Sequence, residues 1–290
     1  MKEGRPSQTA EQVALTRALA TAEAPADRIC DDPIALAYLG PAARATALAL
    51  SPRAARAAWR LAYRLLEWGG PELFVPARTA FIDEALLRAA SRGLDQLVLL
   101  GAGYDSRAER LAGTLRGVRV FELDFPATQA RKLRMRPPVP GVVYLPIDLS
   151  RQPFEEPLLT AGFDPSRRSA FLWEGVIYYL DRPRAAAVLD AIRRLLAPGG
   201  SLWLDCFVEP PTLSLPYRLT WRAGIAAAAL VGEPVRTTLA PSEVQSFFEA
   251  RGFGIADRAD AAELSARYLR GRWAGLRLFP AWCCLDLEAA

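Results

Sequence analysis

Five short apolar runs, each followed by a turn and then a helical stretch, fill the middle of this chain and leave few folds open to it. They are QLVLLG (96–101), VRVFELD (118–124), VVYLPIDL (142–149), SAFLWEG (169–175) and SLWLDCF (201–207). All are too short for core helices and apolar on successive residues, the pattern of strands buried on both faces. Such strands, separated by helices, assemble into a parallel sheet with helices on either side. The clearest helix is 182–196, where Asp181 can cap the first turn, Pro183 sits inside it and Pro198-Gly199-Gly200 ends it. FGIADR (253–258) and AWCCLDL (281–287) are candidate closing strands. The expected fold class is α/β, with a mostly parallel seven-stranded sheet.

Residues 1 to about 92 read as helix. One helix is expected over Ser51 to Glu67, started by Ser51-Pro52 and stopped by Gly69-Gly70, with Ala55, Trp59, Ala62, Tyr63 and Leu66 at helical spacing. A second runs from about Ala77 to Ala90 and stops at Gly93. Residues 209–240 are Pro-rich, then Ala-rich, and read as an insertion over the rim of the sheet. A last helix begins near Pro241-Ser242-Glu243 and ends at Gly252. The expected division is one domain over 1–290: a helical cap (1–92), an α/β core (93–208), a lid insertion (209–240) and closing elements (241–290).

Composition removes several chemistries. The 290 residues contain no histidine, which excludes Ser-His-Asp and Cys-His nucleophiles, His-ligated zinc and His-ligated haem. The four cysteines, Cys30, Cys206, Cys283 and Cys284, form no CxxC pair, so no metal site is expected. The start MKEGRPSQTAEQ has no apolar signal core, and no apolar run reaches the ~18 residues of a membrane span. These features give the expectation of a cytoplasmic protein without membrane association. The net charge is +4, carried almost wholly by arginines scattered among acids, and no dense basic block points to nucleic acid. The oligomeric state is not legible.

Four sites along the expected rim could carry chemistry. In LLGAGYDSRAERL (99–111) a strand ends in Gly101-Ala102-Gly103, a turn that lets backbone approach a ligand at the carboxyl edge of the sheet. The third glycine of a dinucleotide fingerprint is replaced by Ser106, and Asp105 would face a pyrophosphate, which disfavours NAD. In FELDFP (121–126), Glu122 and Asp124 lie at the end of the second strand, where an acid can accept both hydroxyls of a ribose. In IDL (147–149), Asp148 ends the third run and can meet an adenine amino group or cap a helix. In WEGVIYYL (173–180), Glu174 would point into the crevice and balance a ligand cation, and a buried carboxylate there needs a partner. Arg78 is a further candidate. Placed in a first helical turn it would oppose the dipole, which points to a separate task such as clamping a carboxylate. Arg17 in TRALA is a weaker instance of the same pattern.

In order and spacing, LLGAGYDSRAERL, FELDFPATQARKL, IDL and WEGVIYYL resemble the leucine carboxyl methyltransferase family, which uses S-adenosylmethionine. VGEPVRTTLAPSEVQSFFEARGF (231–253) and the following ELSARYL resemble its bacterial branch, which includes polyketide carboxyl O-methyltransferases of the tetracenomycin type. The likeness runs from about Thr16 to the end of the chain. It implies a Rossmann-like class I methyltransferase with S-adenosyl-L-methionine as cofactor. By resemblance, Arg78 would clamp the methionine carboxylate and Gly101 and Gly103 would admit the cofactor. Asp124 would hold the ribose, Asp148 and Leu149 would face adenine, Glu174 would lie near the ammonium and Arg17 would add a basic contact. Trp173 and Tyr178 depart from the smaller or aliphatic residues of the family pattern and would reshape the acceptor pocket.

The expected reaction is in-line methyl transfer to a small-molecule acceptor. A carboxylate, ionised at neutral pH, needs no base, whereas a phenol gains from one, commonly histidine, which this chain lacks. A carboxylate of a polyketide or aromatic acid is therefore preferred. A hydroxyl or phenol acceptor and a silent S-adenosylmethionine-binding module are the alternatives. Tyr178 and Arg222 are positioning candidates. Arg60 and Arg64 could also meet an acceptor carboxylate, and Trp59, Tyr63, Trp68, Tyr217 and Trp221 could line an apolar pocket.

Overall fold

In a computed structural model of the chain, the structure describes residues 6–50, 57, 61, 68–210, 215–230 and 234–290. Strands β1 (Trp68–Gly69), β2 (Gln96–Leu100), β3 (Arg119–Asp124), β4 (Val142–Pro146), β5 (Ser169–Trp173), β6 (Ser201–Phe207), β7 (Phe253–Asp260), β8 (Arg277–Leu278) and β9 (Trp282–Ala289) follow in chain order. Seven form one sheet in the order β4-β3-β2-β5-β6-β9-β7. Pairing is parallel from β4 through β6, and β9 runs antiparallel to both β6 and β7. The α/β class and the seven-stranded, mostly parallel sheet are therefore as read from the sequence. The chain order reverses direction across β2 and β5, the place where sheets of this kind bind ligands.

The continuous apolar runs are explained by burial on both faces. Successive residues of β2 feed opposite cores: Val98 and Leu100 join Phe171, Trp173, Leu202 and Leu204 on one face. Leu97 and Leu99 join Leu172 and Trp203 on the other. The first face is covered by Val188, Leu189 and Ile192 of helix Arg182–Leu195, capped by Asp181 as its sequence predicts. The second is covered by Phe81, Ile82 and Leu86 of helix Pro71–Ser91 and Leu264 of helix Ala261–Tyr268.

The differences from the sequence reading lie at the periphery. Helix Pro71–Ser91 starts six residues before the expected Ala77, on Pro71 as a first-turn proline, and carries Pro76 within it. Pro76 reads as a boundary, but packing of the apolar face holds the helix through it. Arg78 thus lies in the helix interior, and its placement is not a dipole effect. Residues 22–34 are irregular rather than helical, and Ala35–Tyr38 is a single 3₁₀ turn. The helix expected over Ser51 to Glu67 lies outside the described residues except for positions 57 and 61. Helix Val244–Glu249 is not the last: Ala261–Tyr268 follows, opened by a capping box between Asp260 and Glu263. The short parallel pair β1–β8 has no pattern from which to read it. No helix among the described residues is long and apolar enough to cross a membrane.

Candidate active site

The carboxyl ends of β2 to β5 open into a cavity of about 480 Å³, within the few-hundred to one-thousand Å³ range of small-molecule sites. Its lining includes Gly101 and Gly103 after β2, Asp124 at the end of β3, Asp148 and Leu149 beyond β4, and Glu174 beyond β5. Arg17, Arg78 and Tyr178 also line it. Backbone bonds from Gly101 and Ala102 N–H to the Leu123 carbonyl, 2.8 and 3.1 Å, fix the turn against β3. Gly101 has φ +71°, and a Cβ there would stand 2.5 Å from Val176 Cγ2, so no larger residue fits.

Asp124 is held by backbone alone. Its carboxylate accepts from Gly103 N–H and Phe125 N–H, each at 2.7 Å. Burial raises its pKa to about 7 in spite of those two bonds. A carboxylate offers about four acceptor positions, so roughly half remain for hydroxyls in the cavity. Asp148 lies in the loop past β4, where its side chain turns back on Ser150 N–H at 3.0 Å and Ser150 Oγ at 2.5 Å.

The other end of the cavity is a charge network. Glu174 pairs with Arg78 and Arg107, both at 2.8 Å. Arg78 also pairs with Asp205 of β6 at 2.9 Å, and Asp205 accepts from Gly175 N–H at 2.6 Å. Arg107 continues to Asp105 and to Asp83, and Arg110 to Asp83. Three guanidiniums thus face four carboxylates, an excess of one negative charge suited to a cationic ligand. Burial works to raise Glu174, but Arg107 and Arg78 hold it below the usual carboxylate range. The same contest leaves Asp105 at about 2, where Arg107 and Arg17 outweigh burial. In Asp205 burial prevails over Arg78 and the pKa rises. Among the described residues, Arg78 Nε and the Tyr104 hydroxyl of the cavity wall, and Arg107 Nη2 and Arg110 Nε behind it, are buried without a hydrogen-bond partner.

Most of the residues expected at the site are therefore brought together, with two exceptions. Glu122 does not line the cavity. It is buried against Lys132, 2.6 Å from its Nζ, because helix Pro126–Met135 lays that lysine over β3. Arg222 is exposed on helix Leu215–Leu230 and is not in the cavity wall. Trp221 stacks on Phe279 (5.3 Å) and meets Phe207 edge-on (5.4 Å), so it packs against the end of β6 and the segment before β9 and is not among the residues lining the cavity. Arg60, Arg64, Trp59 and Tyr63, and the side chains of Trp68 and Tyr217, lie outside the described residues. Asp205 and Arg107 escaped the sequence reading as site residues, and Asp105 entered it only as a carboxylate unfavourable to a pyrophosphate. Asp205 sits in a run that reads as plain strand, and its position at the carboxyl end of β6 is the only signal it gives. Among the described residues no cluster of three metal-ligating side chains occurs.

Comparison with known proteins bears on what this cavity holds. Residues 10–193 match the family model described as leucine carboxyl methyltransferase. A protein of Mycolicibacterium paratuberculosis assigned as an S-adenosyl-L-methionine-dependent methyltransferase is 36% identical over 213 residues, 68% of this chain and 67% of that one. A Frankia alni protein with the same assignment is 36% identical over 203 residues, with the same coverage. Among solved structures, a Thermobifida fusca protein assigned as a methyltransferase is similar in fold, with a TM-score of 0.59 at 15% identity, covering 99% of this chain and 96% of that one.

Proposed function

The chain belongs to the leucine carboxyl methyltransferase family, and from that premise we propose that it transfers a methyl group to the carboxylate of a small polyketide or aromatic acid, forming a methyl ester. S-adenosylmethionine is the cofactor, and the protein is a methyltransferase dependent on it. The residues present fit that group: unspent acceptor positions on Asp124, a spare buried donor on Arg78, and the Glu174 carboxylate in the cavity wall for a cation.

When bound, the cofactor supplies an electrophilic methyl carbon on a positively charged sulfur. Asp124 would accept from the ribose hydroxyls, and Asp148 and Leu149 would border adenine. Arg78 would meet the methionine carboxylate and Glu174 its ammonium. The remaining task of the chain is to align the acceptor oxygen with the methyl carbon and keep water away.

The observation that carries the carboxylate reading is that, among the described residues, the cavity offers no histidine, lysine or readily ionised phenol to take a proton from an acceptor. Histidine is absent, and burial pushes the Tyr178 phenol well above its ordinary value. Asp124, the one lining acid lifted to near neutrality, is given to the ribose in this scheme. A carboxylate acceptor is already ionised and needs no proton removed. The test is the product. Incubated with methyl-labelled cofactor and aromatic acids, the protein yields a methyl ester that alkali cleaves. A base-stable methyl ether, with kcat rising through pH 8–9, supports a phenol acceptor instead.

A further inference from the structure

Five arginines line the cavity: Arg17, Arg78, Arg151, Arg184 and Arg236. Four are occupied by the protein itself. Arg17 pairs with Asp32 at 2.8 Å and donates to the Tyr104 carbonyl. Arg78 holds Glu174 and Asp205. Arg151 lies 3.8 Å from Asp148. Arg184 donates to the carbonyls of Leu149 and Gln152 at 2.8 and 2.5 Å. The Arg236 guanidinium has no acceptor among the described residues.

Its backbone, by contrast, is firmly held. Arg236 N–H and Thr237 N–H both donate to the Tyr178 carbonyl, at 2.7 and 3.3 Å, and buried Thr237 donates through Oγ1 to the Leu180 carbonyl at 2.6 Å. This stitches the segment after helix Leu215–Leu230 to the run that follows Glu174. Arg236, exposed, thus lines the same cavity as Tyr178, Tyr179 and Pro234, with its backbone tied to Tyr178. Tyr178 in turn stacks on Phe207 at 4.3 Å, so aromatic surface backs that wall.

We propose that Arg236 is the specificity-determining counter-ion of the acceptor, pairing with the carboxylate of an aromatic acid whose ring lies along Tyr178 and Tyr179. This rests on the carboxylate reading above. A guanidinium fork matches a carboxylate in a way no neutral side chain does, and an arginine without an internal partner breaks no contact within the protein to bind one. Its segment, VGEPVRTTLAP, resembles the bacterial branch of the family, but that resemblance gives Arg236 itself no task.

The experiment titrates aromatic carboxylates, from benzoate through 2-naphthoate to anthracene-2-carboxylate, each beside its primary amide, into protein saturated with S-adenosylhomocysteine. The wild type binds at least one acid, with its amide about tenfold weaker or worse. Arg236→Met loses about tenfold or more for the acid, erases the preference over the amide and leaves affinity for S-adenosylhomocysteine unchanged. Arg236→Lys restores part of the preference. In turnover, Arg236→Met raises the acceptor KM with little change in kcat. The proposal is overturned if no acid binds, if Arg236→Met binds acid as the wild type does, or if its main loss is in S-adenosylhomocysteine affinity. The two readings fail separately: a base-stable product sinks the carboxylate acceptor itself, whereas esters formed by Arg236→Met with an unchanged KM sink only the role of Arg236.

Discussion

The two ends of the cavity solve the same problem, holding a buried carboxylate, by opposite means. Around Asp124 the work is done by backbone: two N–H groups from a glycine turn and a helix start, no ion pair, and a pKa lifted by burial to about 7. Around Glu174 it is done by side chains: arginines from helix Pro71–Ser91 and from the short helix Arg107–Arg110 that follows the glycine turn, with Glu174 kept ionised below the usual range. A carboxylate fixed by local backbone can change without disturbing the rest of the fold. A carboxylate fixed by a shared network ties ligand binding to stability, because removing one member strands another charge.

Variants can break that contrast. The largest effect is expected from Asp205→Ala, which leaves Arg78 buried with one counter-ion and costs about 3–5 kcal/mol of folding stability. Chemical denaturation measures it, and a loss under ~1 kcal/mol would show the network to be slack. Next is Asp124→Ala, which should weaken cofactor binding about 100-fold or more, some 2.7 kcal/mol, by titration calorimetry. Its denaturation midpoint should hold or rise, since a charge that burial disfavours has been removed. A loss of stability equal to that of Asp205→Ala would erase the difference between the two ends.

A third measurement uses pH. The folded pKa of Asp124, about 7, lies above the 3.8 of a solvated carboxyl in the unfolded chain, so this group favours the folded state most below pH 3.8 and loses that contribution as pH rises through 7. Ligand binding runs the other way, because ribose hydroxyls donate to the ionised form. Cofactor affinity should fall about tenfold from pH 8 to pH 6, with proton uptake by Asp124 competing. Glu174, held low, should add nothing to this profile. A flat profile contradicts the ribose assignment. The smallest effect is expected from Asp260→Ala, which removes the capping box far from the cavity: about 1 kcal/mol of stability and unaltered cofactor affinity.

The same contrast explains what could be read from the sequence. The places of Asp124, Gly101 and Gly103 in the cavity wall were legible because they depend on neighbours in the chain: a strand end, a tight turn and the spacing between them. The parallel sheet was legible because burial on both faces writes itself into consecutive residues. Asp205 was not, because its partner Arg78 stands 127 positions away and only the sheet order brings them together. Glu122 was misplaced for the converse reason. It shares a strand end with Asp124, and nothing local shows that Lys132 folds over it. The helix-dipole argument for Arg78 is removed by the longer helix, yet Arg78 lines the cavity, where two carboxylates converge on it.

The account stands on the cavity at the rim of β2 to β5 being the cofactor site, with Asp124 and Glu174 at its two poles. The most direct test is a crystal structure of the protein grown with S-adenosylhomocysteine. Electron density for the ligand should fill the cavity with both ribose hydroxyls within hydrogen-bonding distance of Asp124 and the amino group beside Glu174. Density placed elsewhere, or a ribose turned away from Asp124, would contradict it.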